Sequence, residues 1–207
     1  MTKSSSSAAR VAELFRQMRN DIKFGAYQFG QWLKLIELQQ RYAATQFEIR
    51  KVLTRLEADR LVEHKANAGY RVATPDPAER SQMRYVRTIL ERSTAAMIAA
   101  RATEADIAEL TRLAQAFEDT IGLEGRQDQA AANMAFHAKL YDIAENAVLS
   151  GLIQELRDRS HYGTTGRWRG PEGLHASGAE HFEMIEAIRR RDPLELERLI
   201  VRHIESF

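Results

Sequence analysis
The run Leu38-Gln39-Gln40-Arg41-Tyr42-Ala43-Ala44-Thr45-Gln46-Phe47-Glu48-Ile49-Arg50-Lys51-Val52-Leu53-Thr54-Arg55-Leu56 decides how the N-terminal part of the chain folds. Thr45-Gln46-Phe47-Glu48 has the spacing of a capping box. The threonine hydroxyl accepts from the amide three residues on, and the glutamate reaches back to the threonine amide. Ile49, Val52, Leu53 and Leu56 then recur at i, i+3, i+4 and i+7, which predicts a helix with one apolar face. The opposite face carries Phe47, Arg50, Lys51 and Thr54, with Gln46 at the tip. Leu61-Val62-Glu63-His64-Lys65, a turn at Asn67-Ala68-Gly69 and Tyr70-Arg71-Val72 predict a two-stranded hairpin with a basic edge.

Helix, turn, capped helix and hairpin over Leu33–Val72 is the order of a winged helix-turn-helix, a module that reads DNA. Upstream, Val11, Leu14, Phe15, Met18 and Ile22 mark a helix from Ala8, preceded by a serine-rich tail, Ser4–Ser7, that ends in a helix cap. That helix stops at Phe24-Gly25, and Gly25–Gly30 connects it to the head. Downstream, Thr74-Pro75-Asp76-Pro77 breaks both helix and ladder and marks a domain border. The expected division is a DNA-binding domain at 1–74, a linker at 75–78 and a second domain at 79–207.

After Pro77 no segment alternates with period two, and the pattern is helical throughout. A first helix, about Ala78–Arg101, is expected to bury Val86, Ile89, Leu90 and Met97. Thr103 caps a second, with Ile107, Leu110, Ala114, Phe117 and Ile121 in register, and Gly122–Gly125 turns the chain. A third spans about Gln127–Glu145. Asn146 caps a fourth through Leu149, Leu152, Ile153 and Leu156. Gly163–Pro171 reads as a loop, a fifth helix carries His181, Met184, Ile185 and Ile188, and Asp192-Pro193 starts the last. The fold class expected is mainly α: a winged helix-turn-helix followed by an antiparallel bundle of six to seven helices.

The net charge of +1 is unevenly divided. Residues 1–75 hold 13 Lys and Arg against 7 Asp and Glu, a formal +6, which leaves −5 for the rest. A basic head on an acidic body suits a phosphate-binding module joined to something else. The absence of cysteine excludes disulfides, thiolate metal sites and cysteine nucleophiles, and fits a reducing cytoplasm. No apolar run is long enough for a membrane span, so no membrane partner is expected.

His137, His181 and His203 fall on the apolar stripes of three different helices, and Asn133 lies one turn before His137. Each histidine could be a hydrogen-bonded core residue. Together with an amide oxygen they could instead hold a divalent metal, since neutral imidazoles and oxygens are its usual ligands and bundle cores a usual place.

At this point the chain resembles a GntR-family transcription regulator of the FadR subfamily, with an FCD-type ligand-binding domain. The resemblance spans residues 8–206. In the head it rests on Ile22-x-x-Gly25, Gly30-x-x-Leu33, Leu38, Tyr42, Ile49-Arg50-x-x-Leu53-x-x-Leu56-Glu57, Leu61-Val62 and Gly69-Tyr70-x-Val72. In the body it rests on Arg87-x-x-Leu90-Glu91, Phe136-His137-x-x-Leu140, Glu145-Asn146-x-x-Leu149, His181 with Ile185-Glu186-Ala187-Ile188, Arg191-Asp192 and His203-Ile204. By that match Asn133, His137, His181 and His203 are the implied ligands of a Zn, Ni or Mn class ion. Asn133 stands where the family usually has aspartate. The resemblance further implies a homodimer on double-stranded operator DNA, responsive to a small organic acid and acting as a repressor. Arg87 is the implied effector contact.

The head departs from the family pattern Ser-Arg-Thr-Pro-Val-Arg, which here reads Thr45-Gln46-Phe47-Glu48-Ile49-Arg50. Arg50 is expected to pair with guanine, Gln46 to read adenine and Phe47 to pack on a thymine methyl. Thr45, Lys51 and Arg19 are expected on phosphates, and Lys65, Asn67, Gly69 and Arg71 form the wing. Two rival classes are a metal-dependent helical enzyme and a DNA-binding head on a purely structural bundle. Against the enzyme, the single Glu-x-x-His pair, Glu172-Gly173-Leu174-His175, sits among Gly and Pro in an expected loop, and no general base accompanies the histidines.

Overall fold
The computed structural model describes residues 2–23, 25–74, 76–122, 126–160 and 170–206. Phe24 of the expected helix stop, Pro75 of the border, positions 123–125 of the expected turn and positions 163–169 of the expected loop lie outside the described residues. The chain forms two units, Met1–Pro75 and Asp76–Phe207.

The first unit runs α1 (Thr2–Lys23), β1 (Trp32–Leu33), α2 (Leu35–Tyr42), α3 (Gln46–Ala58), β2 (Val62–Lys65) and β3 (Gly69–Val72). α1 begins at Thr2 rather than Ala8. Nothing in Thr2–Ser7 is Gly or Pro, and serine costs a helix only about 0.5 kcal/mol per residue against alanine. The capping box forms: Thr45 Oγ1 accepts from Glu48 N at 3.3 Å, and Thr45 N donates to Glu48 Oε2 at 2.8 Å. Ile49, Val52, Leu53 and Leu56 are fully buried with Leu14, Phe15, Met18 and Leu38. Between α2 and α3, Ala43 takes a left-handed conformation (φ 46°), and Ala44 N donates to Gln39 O at 3.1 Å. Asp21 ties α1 to α2, accepting from Tyr42 Oη at 2.6 Å and Arg41 Nη2 at 2.9 Å.

The expected hairpin is one part of a three-stranded antiparallel sheet of order β1-β3-β2, with Trp32 opposite Arg71 and Leu33 opposite Tyr70. β1 is two residues long, too short for any alternation to show in sequence. The turn between β2 and β3 places Asn67 at φ 62° and Gly69 at φ 99°.

The second unit holds seven helices among the described residues: α4 (Pro77–Arg92), α5 (Ala95–Arg101), α6 (Glu104–Glu118), α7 (Arg126–Asp142), α8 (Ala147–Ser160), α9 (Pro171–Arg189) and α10 (Pro193–Glu205). They form a bundle in which α6 packs on α7 and α9, α10 on α4, α5 and α9, and α8 on α4 and α7. The expected helix at 78–101 divides at Ser93-Thr94. There Ser93 Oγ donates to Leu90 O and Thr94 Oγ1 to Glu91 O, both at 2.7 Å, side chains taking over carbonyls at the break. The Arg191 guanidinium donates to Ala99 O at 2.8 Å and Ala100 O at 3.0 Å, satisfying the end of α5. Glu172–His175 is helical, not loop, because Pro171 supplies the preset φ of a first helical position.

One face of this unit reverses the expectation. Val86, Ile89 and Leu152 are exposed at 42%, 46% and 48%, while Arg87, Glu91 and Arg157 on the same two helices are buried. Periodicity marked Val86 and Ile89 as the buried side of α4, but the bundle packs the neighbouring polar side, with Arg87 and Glu91, inward.

Candidate metal centre and nucleic-acid interface
α7, α9 and α10 each direct one imidazole to a common point. His137 Nε2 lies 3.0 Å from His203 Nε2 and 3.3 Å from His181 Nε2. All three rings are buried, at 0–2% exposure. Hydrophobic neighbours fix them: Phe136 stacks on His181 with ring centroids 4.1 Å apart, and Phe117 meets it edge-on at 5.2 Å. His203 is further held by Glu180, whose Oε2 lies 2.7 Å from Nδ1. That bond places the proton on Nδ1 and leaves the Nε2 lone pair facing the other two rings.

Burial pushes His137 and His181 well below the usual imidazole range, and nearby positive charge from Arg157 pushes in the same direction. His203 is lowered by burial too, against the opposing pull of Glu180. Three neutral imidazoles cannot all satisfy one another by sharing protons, because His137 Nε2 can donate to one neighbour or accept from the other, never both. A cation at the convergence point takes all three lone pairs at once. Nitrogen separations of 3.0 and 3.3 Å also suit ligands about 2.0–2.1 Å from one ion. Asn133, one turn earlier on α7, is 2% exposed and its Oδ1 has no hydrogen-bond partner. An orphaned buried carbonyl oxygen is costly unless something electropositive meets it. The donor set therefore fits a divalent ion.

Beside the histidines lies a buried ionic cluster. Glu91, fully buried, accepts from Arg87 Nε at 2.7 Å, Arg157 Nη1 at 3.0 Å and Tyr141 Oη. Burial by itself would raise the Glu91 carboxyl, but the Arg157 and Arg87 guanidiniums hold it down at about 2. The Tyr141 ring stacks on His137 at 6.1 Å, which joins the cluster to the histidines. Arg87 is thus no exposed intrahelical partner of Glu91: the pair is buried, with side chains 9% and 0% accessible. Sequence reasoning missed Arg157, Glu180 and the role of Tyr141. Arg157 sits four residues after buried Ile153, so its place on an inward stripe was a usable signal. Glu180 adjoins His181 in sequence yet serves His203, which no local pattern reveals.

In the first unit, the face of α3 away from the core presents Gln46, Phe47, Arg50, Lys51 and Thr54, all exposed. Phe47 is 63% accessible, and Lys51 Nζ lies 4.6 Å from its ring centre. The Thr45 hydroxyl is engaged in its cap. Arg19 on α1 is half-buried, with a buried Nε that lacks a hydrogen-bond partner. In the wing, Lys65 Nζ and Arg71 Nε each lie 2.8 Å from Glu63, so both cations are oriented by one carboxylate. Asn67 and Gly69 form the tip.

Comparison with known proteins matches residues 82–206 to the FCD domain and residues 10–72 to the bacterial regulatory proteins of the gntR family. The Uxu operon regulator of Haemophilus influenzae is 25% identical over 216 residues, covering 95% of this chain and 79% of that protein. The structure of E. coli McbR/YncC superposes with a TM-score of 0.73 at 16% identity, covering 95% and 93% of the two chains. A GntR transcriptional regulator from Rhodococcus sp. RHA1 gives a TM-score of 0.72 at 18% identity, covering 95% and 94%. No helix among the described residues is long and apolar enough to cross a membrane.

Proposed function
The chain belongs to the bacterial GntR-family regulators that carry an FCD domain, and from that premise we propose that it is an operator-binding repressor controlled by a small organic acid bound at a metal site. That it is a DNA-binding transcriptional regulator and not an enzyme follows from the family. The relative of H. influenzae is an operon regulator by name, which supports control of an operon here.

On this reading Asn133, His137, His181 and His203 hold a divalent ion of the Zn, Ni or Mn class, which supplies a Lewis-acidic anchor for a carboxylate. Arg87 and Arg157 orient the acid electrostatically, and Tyr141 and Glu91 keep the two guanidiniums in place. The carrying observation is the convergence of the His181 and His203 Nε2 atoms on His137 Nε2, with a buried, unpartnered Asn133 Oδ1 one helical turn before His137. In the head, α3 enters the major groove with Arg50 on guanine, Gln46 on adenine and Phe47 against a thymine methyl. Thr45, Lys51 and Arg19 take phosphates, and the wing residues Lys65, Asn67, Gly69 and Arg71 follow the backbone. A second copy of the chain completes the operator contact; the exposed apolar residues Tyr85, Val86 and Ile89 on α4 and Val148 and Leu152 on α8 support a face for it.

The test is a thermal-shift screen of sugar acids, hydroxy acids and dicarboxylates, with and without EDTA, on protein purified without a nickel column. We expect stabilisation by one acid class that EDTA abolishes. A protein that carries no metal and shows no shift with Zn²⁺, Ni²⁺ or Mn²⁺ refutes the metal site.

A further inference from the structure
We propose that cation and anion fill this site together, so that a divalent ion binds tightly only when an organic anion binds beside it. The inference rests on the metal reading above. All four candidate donors, three imidazoles and one carboxamide, carry no charge. The buried charges around them already cancel: Arg87 and Arg157 stand against Glu91 and Glu180. Glu91 is engaged by both arginines, and Glu180 by His203 and by Arg202, whose Nε lies 3.7 Å away. Neither carboxylate is therefore left over to neutralise an ion.

A doubly charged cation entering here leaves a water-poor interior with two uncompensated positive charges, an arrangement proteins avoid by pairing. Residues of this chain supply no further buried carboxylate near the histidines among the described residues. The missing charge has to come from a ligand. An organic carboxylate meets the requirement twice, by facing the cation and by lying near Arg157, whose guanidinium stands 5.9 Å from the centre of the Tyr141 ring that stacks on His137. Linkage then makes the effect reciprocal: whatever the anion adds to cation affinity, the cation adds to anion affinity. The regulator would respond to the two together, as a coincidence detector.

The test titrates Co²⁺ into metal-free full-length protein, reading its d–d absorption, with and without sodium acetate at an ionic strength fixed by perchlorate. For the wild type, acetate is expected to raise Co²⁺ affinity by roughly tenfold or more, a typical coupling between linked sites. Asn133→Asp adds the absent charge within the donor set. It is expected to bind Co²⁺ more tightly than wild type without acetate and to gain roughly threefold or less from it. Tight, acetate-independent Co²⁺ binding by the wild type overturns the coupling and leaves the metal site standing. An acetate gain in Asn133→Asp as large as in the wild type also overturns it. Failure of both proteins to bind Co²⁺ under either condition overturns the metal reading itself.

Discussion

At the scale of single residues, Arg50 and Asp106 show how one side chain's surroundings set its work. Arg50 is exposed on the face of α3 opposite the buried Ile49, Val52 and Leu53, so its removal leaves the core intact. Arg50→Ala is expected to weaken operator binding by about 1–3 kcal/mol with unchanged melting temperature, measured by fluorescence anisotropy. Wild-type affinity in that variant would remove Arg50 from the base contacts. Asp106 caps α6 through Thr103 and pairs with Lys139 Nζ at 2.6 Å. The Lys139 bond first, then those to Thr103, hold its carboxyl below the usual aspartate range, at about 2. A depressed folded-state pKa adds stability above the unfolded value and loses it as pH falls through the folded one. Asp106→Asn should therefore cost about 1 kcal/mol near neutrality, and the gap to wild type should close as pH falls from about 4 to about 2. Urea denaturation at a series of pH values measures it, and a pH-independent gap would assign the loss to packing.

At the scale of elements, the turn between α2 and α3 carries a conflict that the sequence does not advertise. Ala43 sits at φ 46°, where a Cβ costs about 1–2 kcal/mol, and glycine would avoid that cost while losing about 0.5–1 kcal/mol to its freer unfolded chain. Ala43→Gly is thus expected to stabilise the protein by up to about 1 kcal/mol, read from thermal denaturation; a clear loss would show that the Ala43 methyl packs usefully. α4 teaches a related point. Its apolar stripe was legible, but Val86 and Ile89 stay exposed because Arg87 and Glu91 take the inward positions. Two guanidiniums, one carboxylate and a tyrosine satisfy each other there, and removing one partner from such a cluster costs about 3–5 kcal/mol.

For the whole molecule, the reading requires two heads on one operator. If the exposed α4 and α8 residues form the contact between copies, then Ile89→Glu with Leu152→Glu should convert a dimer to a folded monomer. Sedimentation gives the mass and circular dichroism the retained helix. Since both positions are about half exposed, the substitutions cost little within one chain. Operator affinity should fall with the dimer, because each half-site holds one head. A double variant that stays dimeric would place the contact elsewhere.

The sequence by itself determined what depends on near neighbours along the chain. The capping box at Thr45–Glu48, the stripe Ile49–Leu56 and the Asp192-Pro193 start are all set within one or two helical turns. The placement of three histidines on three apolar stripes was legible for the same reason. Tertiary structure alone decided which stripes are covered and which charges meet. Glu91 and Arg157 are 66 residues apart, as are His137 and His203, so no periodicity records their contact. β1, with two residues, acquires its meaning only by pairing with β3. A local pattern states on which side of an element the apolar residues lie. The partner that covers it, and the charge balance of the interior so enclosed, are properties of the packed whole.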